Sequence, residues 1–210
     1  PASLGAILRS IVAMEQQGAS TFFGEPSFDV EDLLKTRDGK GVVNIFRVDD
    51  IQNKPNLFST FMLSLFAEIY MTFPEEGDSG RPKLVLFIDE AHLIFNEASK
   101  ALLSQIETMV KLIRSKGIGI YFITQIPGDV PENILSQLGL KIQHALRGFT
   151  AKDRKEIDKA VENYPITEFY KANELIQNLG IGEAFVTALD EKGIPTPLVQ
   201  TYLISPESRM

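Results

Sequence analysis

Apolar positions recur along this chain with two different rhythms. Ile7, Leu8, Ile11 and Val12 fall three and four apart, the spacing of one helical face; Ser3 can cap that helix and Gly18 can end it. The same spacing returns in Phe58, Phe61, Met62, Leu65, Phe66 and Ile69, introduced by Pro55 and Asn56. It returns again in Leu102, Ile106, Met109, Val110 and Ile113, where Arg114, Lys116 and Gly117 supply a basic end and a glycine stop. Other stretches lack this period. Val42–Val48 is rich in β-branched and apolar residues, Leu84–Ile88 is an unbroken apolar run, and Ile118–Thr124 is a third stretch of this kind. Unbroken runs suit strands covered on both faces, as in parallel sheets. Strand, helix, strand, helix, strand therefore alternate from Val42 to Gln125, which predicts an α/β fold with a mainly parallel sheet flanked by helices.

The remaining segments fill in around that core. Asp29 opens a short helix that runs toward the turn Arg37-Asp38-Gly39-Lys40-Gly41, and Glu75–Pro82 is a polar, Gly-containing surface loop. Lys141–Leu146 predicts a further strand. Thr150 and Asp153 form a capping-box-like start to a helix containing Ile157, Ala160 and Val161. Glu183–Leu189 and Pro197–Ile204 flank Asp190-Glu191-Lys192-Gly193, the pattern of a C-terminal β-hairpin. The reading divides the chain into a helical lead-in at 1–40, an α/β core at 41–150, and a helix-and-hairpin extension at 151–210.

Composition narrows the chemistry. Hydrophobic residues make up 44% and charged residues 23% of the 210, which is ordinary for a folded globular chain. The net charge of -7 argues against a simple duplex-coating module, which draws its affinity from a basic face, but leaves room for a ring that touches nucleic acid through a few loops. With no cysteine there is no disulfide framework, thiol nucleophile or Cys-based zinc site, and two histidines do not make a His-rich metal site. The most apolar helix, Leu57–Phe73, contains Ser59, Thr60, Ser64, Glu68 and Thr72 and reads as a core helix rather than a membrane span.

Three strand ends carry the candidate chemistry. Leu84–Ile88 stops at Asp89-Glu90, and ligands of open α/β sheets sit beyond the carboxyl ends of strands. There Asp89 can hold Mg²⁺ through water, and Glu90 can orient or deprotonate a water that attacks a γ-phosphate. The same pair is also what a buried strand looks like when it simply ends in polar residues. One strand–helix–strand unit later, Tyr121–Thr124 closes on Gln125, with Pro127 barring regular continuation. An amide at that tip can bond both the water and a γ-phosphate oxygen, or merely cap a strand. Arg147, at the end of Lys141–Leu146, can stabilise charge on a transferring phosphoryl group, in cis or across a subunit boundary, or serve as a structural arginine. Lys141 is a weaker alternative, Arg114 reads as a helix-dipole partner, and His92 and His144 read as supporting residues rather than metal ligands. No G-x-x-x-x-G-K-[ST] occurs, so no phosphate-cradling loop is present in these residues.

Taken together, "LVLFIDEAHLIF", "RSKGIGIYFITQIPGDVP", "KIQHALRGFTAKDRK" and "LGIGEAFVTALDEKGIPTPLV" resemble the HerA/FtsK superfamily of P-loop ATPases, and most of all its bacterial HerA-like branch of helicases. The resemblance covers nearly the whole chain. It implies a RecA-like P-loop NTPase fold, incomplete because the P-loop segment precedes these motifs in the family, so that this chain is the C-terminal portion of a longer polypeptide. Asp89 and Glu90 then match the Walker B pair, with Asp89 on Mg²⁺ through water. Gln125 matches the family's strand-end glutamine, and Arg147 falls where HerA-like proteins carry a nucleotide-associated arginine. Ile126 replaces an arginine often found between that glutamine and the proline, so no role of that arginine carries over. The implied function is ATP hydrolysis coupled to DNA translocation by a cytoplasmic, homo-oligomeric hexameric ring. ATP and Mg²⁺ would be the cofactors of the full-length parent, with none bound to this fragment. Two alternatives stand beside it: a nucleotide-free interaction domain, and an ATPase acting on protein cargo.

Overall fold

The first helix, α1, covers the fifteen residues Ala2–Gln16 and gives way at Gly18, whose φ of 93° only glycine adopts freely. It begins ahead of Ser3, so Ser3 sits inside the first turn and is not the cap that the sequence predicts. Its apolar face is also not core: Ile7, Leu8, Ile11 and Val12 are all exposed. A short second helix, α2, follows at Ala19–Phe22. The structure, a computed structural model, describes all residues except 1, 23, 26, 27, 78, 79, 96–99, 167, 169, 170 and 206–210. Asp78 and Ser79 of the polar loop before Pro82 thus lie outside the described residues.

Asp29 does open a helical turn. Its carboxylate accepts the Glu31 N–H at 3.0 Å at the head of a 3-10 turn, Val30–Leu34. A two-residue loop of Asp38 (φ 54°) and Gly39 (φ 73°) then folds β1 (Thr36–Arg37) back on β2 (Lys40–Gly41), as tight antiparallel hairpins require. The next stretch corrects the sequence reading. Residues 42–48 form no strand: Val42 donates to Lys35 O at 3.4 Å, no ladder follows, and Val43 and Ile45 are 86% and 82% exposed. β-branched composition favours extended backbone, but a strand also needs a neighbour to take its hydrogen bonds, and these residues have none among those described.

Pro55 starts the long helix α3, Pro55–Thr72, where its missing N–H costs nothing. Leu57, Phe58, Met62, Phe66 and Ile69 form its buried face. No helix among the described residues is long and apolar enough to cross a membrane. β3 (Leu84–Ile88) leads into the short helix α4 (His92–Phe95), and α5 (Lys100–Leu112) packs on α3 through Leu102, Ile106 and Met109. A 3-10 turn extends α5 to Lys116, and Gly117, left-handed at φ 68° and ψ 30°, ends it by donating to Arg114 O. Lys116 is buried there, giving its ammonium to Phe73 O at 2.6 Å and lying 4.6 Å above the Tyr70 ring. β4 (Ile118–Phe122) pairs with β3 in parallel, Leu84 opposite Ile118 and Ile88 opposite Phe122. One face of this pair packs inward, with Phe122 5.4 Å from Phe95. The other carries Phe87 stacked on Tyr121 at 4.9 Å, both exposed.

The chain separates into two compact units, residues 1–125 and 126–210. The second contains α6 (Glu132–Leu135), β5 (Leu140–His144), α7 (Ala151–Glu162), α8 (Ala172–Leu175), β6 (Glu183–Ala188) and β7 (Val199–Tyr202). The strand expected at Lys141–Leu146 is therefore present, but in a separate antiparallel sheet ordered β5-β6-β7 rather than in the parallel one. The capping box is made in full: Thr150 Oγ1 accepts the Asp153 N–H at 3.1 Å, and Asp153 Oδ2 accepts the Thr150 N–H at 2.8 Å. β6 and β7 form the expected hairpin, and Asp190 Oδ1 accepts the N–H groups of both Lys192 and Ile194 at its turn. Ile157, Ile176, Leu179, Phe185 and Leu198 make the core of this unit.

Candidate active site

The tips of β3 and β4 are laced together. Ile123 N–H donates to Ile88 O at 2.9 Å, and Ala91 N–H donates back to Ile123 O at 2.8 Å. The sharp departure of the chain from β3 into α4 fixes the intervening residues. Asp89 Oδ1 accepts the Glu90 N–H at 2.9 Å. Glu90 itself is left-handed, with φ 48°. For a residue with a side chain that conformation costs about 1–3 kcal/mol and persists only where the surroundings enforce it. Here the enforcement is visible: Glu90 O accepts the Leu93 N–H at 2.9 Å, closing the first turn toward α4.

This turn brings Glu90 against the neighbouring strand end. Gln125 Nε2 donates to Glu90 Oε1 at 3.1 Å, so Asp89, Glu90 and Gln125 share one sheet edge at the carboxyl ends of two parallel strands. The other carboxylate oxygen, Oε2, is shielded from solvent and accepts no hydrogen bond from the described residues. His92 Nδ1 lies 3.1 Å from it. The Asp-Glu-x-His spacing across a strand-to-helix turn is the sequence signal for that approach. Spacing alone assigns His92 a supporting role and does not reveal which oxygen it faces.

Among the described residues no group of three His, Cys, Asp or Glu side chains could cage a metal. Mg²⁺ does not need such a cage: it keeps several waters and takes one or two carboxylates together with substrate phosphates. Asp89 suits that role, since it is exposed and, among the described residues, only its neighbour's N–H engages its carboxylate. The donor set fits Mg²⁺ held by Asp89 through water, and Glu90 and Gln125 fit the handling of a water beside it.

The other residues singled out by the sequence are engaged elsewhere. Arg147 belongs to the second unit and gives Nη2 to Leu179 O at 2.7 Å. Lys141, also in the second unit, donates to Asn163 O at 3.0 Å, and burial lowers its pKa below the usual lysine value. His144 Nδ1 lies 3.0 Å from Glu183 O. Arg114 falls in the basic last turn that Gly117 closes.

No curated protein matches the chain. Solved structures do. The genome packaging NTPase B204 of Sulfolobus turreted icosahedral virus 2, in complex with ATP-gammaS, is 16% identical, with a TM-score of 0.51 over 88% of this chain and 76% of that one. The DNA-packaging ATPase B204 of Sulfolobus turreted icosahedral virus is 18% identical, with a TM-score of 0.52 over 88% and 76%. At such identities the likeness concerns the fold. The sequence itself matches one family model along its whole length, residues 1–210, and on that match the chain belongs to the Helicase HerA-like C-terminal family.

Proposed function

We propose that this chain is part of a RecA-like ring ATPase and that Asp89, Glu90 and Gln125 form the hydrolytic half of its nucleotide site. The observation that carries the reading is the contact between Gln125 Nε2 and Glu90 Oε1 beside Asp89, at adjacent parallel strand ends. A carboxylate in this place takes a proton from water as the water oxygen bonds to the γ-phosphorus; the bond from that phosphorus to the β,γ-bridging oxygen breaks, and ADP and phosphate leave. Bound Mg²⁺, held by Asp89 through water, would neutralise charge on the phosphate oxygens. Gln125 bonds Glu90 until a triphosphate and its attacking water offer the amide other acceptors. Arg147, assigned by the motif resemblance, is the candidate for stabilising charge on the transferred group, in cis or from a neighbouring subunit.

The reading concerns the full-length protein, because these residues hold no phosphate-cradling loop. The motif resemblance extends this reading to DNA as the cargo, a homo-oligomeric ring of hexameric size, and a cytoplasmic setting; membership of the Helicase HerA-like C-terminal family accords with the DNA part of it. The test is steady-state hydrolysis of Mg·ATP by the full-length protein, with and without duplex DNA. Turnover that DNA accelerates is expected. Absence of turnover under both conditions overturns the ATPase reading in favour of an interaction domain. Turnover indifferent to DNA overturns the translocase part and favours protein cargo.

A further inference from the structure

The two oxygens of the Glu90 carboxylate are treated differently, and the hydrolytic reading does not use the difference. Oε1 is bonded by Gln125, a residue at a strand tip whose amide has other possible partners. Oε2 is out of solvent without a hydrogen bond from the described residues, and the group beside it at 3.1 Å is the imidazole of His92, the first residue of α4. A buried carboxylate oxygen left unbonded is costly, so a donor at this distance is strongly favoured to turn onto it. Glu90 holds this position on a left-handed backbone, at φ 48°.

From this asymmetry we infer that His92 is a positioning residue for Glu90: its Nδ1–H anchors Oε2, so that Oε1 alone is left to take the proton when Gln125 lets go. An anchored carboxylate pivots little as Gln125 moves between Glu90 and the phosphate. Without the anchor, loss of the Gln125 bond frees both ends of the group. The proton acceptor then samples positions away from the water, and a misplacement of about 1 Å in a reacting group can cost on the order of 100-fold in rate. His92 touches neither nucleotide nor water in this scheme, so its removal slows the chemical step and spares nucleotide binding.

The inference rests on the hydrolytic reading, and single-turnover ATP hydrolysis by the full-length protein separates the two. His92→Ala is expected to lower the single-turnover rate about 10- to 100-fold with the affinity for Mg·ATP unchanged. His92→Asn should recover most of that loss, because its amide nitrogen can stand near the place of Nδ1. In a Glu90→Gln background His92→Ala should cost nothing further, since the carboxylate it steers is gone. A wild-type rate for His92→Ala alongside a defective Glu90→Gln overturns the positioning role and leaves the hydrolytic site standing. A His92→Ala defect that Asn does not relieve, or that adds in full to Glu90→Gln, also overturns it by showing a purely structural contribution. A wild-type rate for Glu90→Gln removes both readings together.

Discussion

Phe87 and Phe185 both stand in mid-strand, yet Phe87 is 67% exposed and Phe185 is 0% exposed. The contrast follows from how the two sheets are covered. The antiparallel strands of the second unit close on their own helices, Ile157 from α7 and Ile176 just after α8 sharing one buried cluster with Phe185. The parallel pair in the first unit packs Phe122 against Phe95 of α4 on one face, while the opposite face leaves Phe87, Tyr121 and Ile123 in solvent. Its strands nonetheless have the unbroken apolar character of a sheet covered twice. The first unit thus puts its apolar surplus outside and its polar chemistry at the strand tips. The second closes a core around Phe185, Ile157, Ile176, Leu179 and Leu198, while Ile142, Val199 and Tyr202 of its sheet stay exposed.

Substitutions that distinguish the two environments test this comparison. Phe185→Ala should be the most damaging, at about 3–5 kcal/mol in a denaturant titration, because it empties a closed core. A loss below about 1 kcal/mol would show that the second unit is not packed as described. Next in size is the phenol of Tyr164, which packs against the same core and whose pKa burial raises to about 12. A pKa raised on folding gives stability that is full below the unfolded value near 10 and is lost as pH rises through the folded one. Between pH 10 and 12 the protein should therefore lose about 2–3 kcal/mol that Tyr164→Phe does not lose. Identical alkaline profiles for the two proteins would place Tyr164 in water. Thr150→Ala removes the hydroxyl of the capping box and should cost about 1 kcal/mol, read from the thermal transition. Smallest of all, Phe87→Ser should change stability by less than about 0.5 kcal/mol, since little burial is given up. A loss comparable to that of Phe185→Ala would mean that the open face is covered in solution.

The parts legible in the sequence were those decided by neighbours in the chain. Leu84–Ile88 is a strand over the residues its apolar run marks, Gly117 ends its helix, and Thr150 with Asp153 makes the box that their spacing announces. The turn at Asp190–Gly193 is closed by a side chain within it. What the sequence hid depends on distant partners. Val42–Val48 has the composition of a strand and, among the described residues, no strand to pair with, and Lys141–Leu146 pairs with β6, which lies some forty residues on, rather than with the parallel strands. The face of α1 that carries Ile7 and Leu8 has helical spacing but no cover among the described residues. At the candidate site, Asp89, Glu90 and Gln125 could be picked out as strand ends. The positive φ of Glu90 and the imidazole beside Oε2 arise from the turn that joins β3 to α4, and residue type alone does not encode them.

The central claim is that Glu90 takes the proton of an attacking water while Asp89 and Gln125 stand beside it. Its most direct test pairs two readings on the full-length Glu90→Gln protein: the affinity for Mg·ATP and the rate of a single hydrolytic turnover. The amide keeps the shape of the carboxylate without its basicity, so affinity should hold while the rate falls by about 10²- to 10⁴-fold. A wild-type turnover rate, with affinity equally unchanged, would contradict the account and leave Glu90 as the polar end of a buried strand.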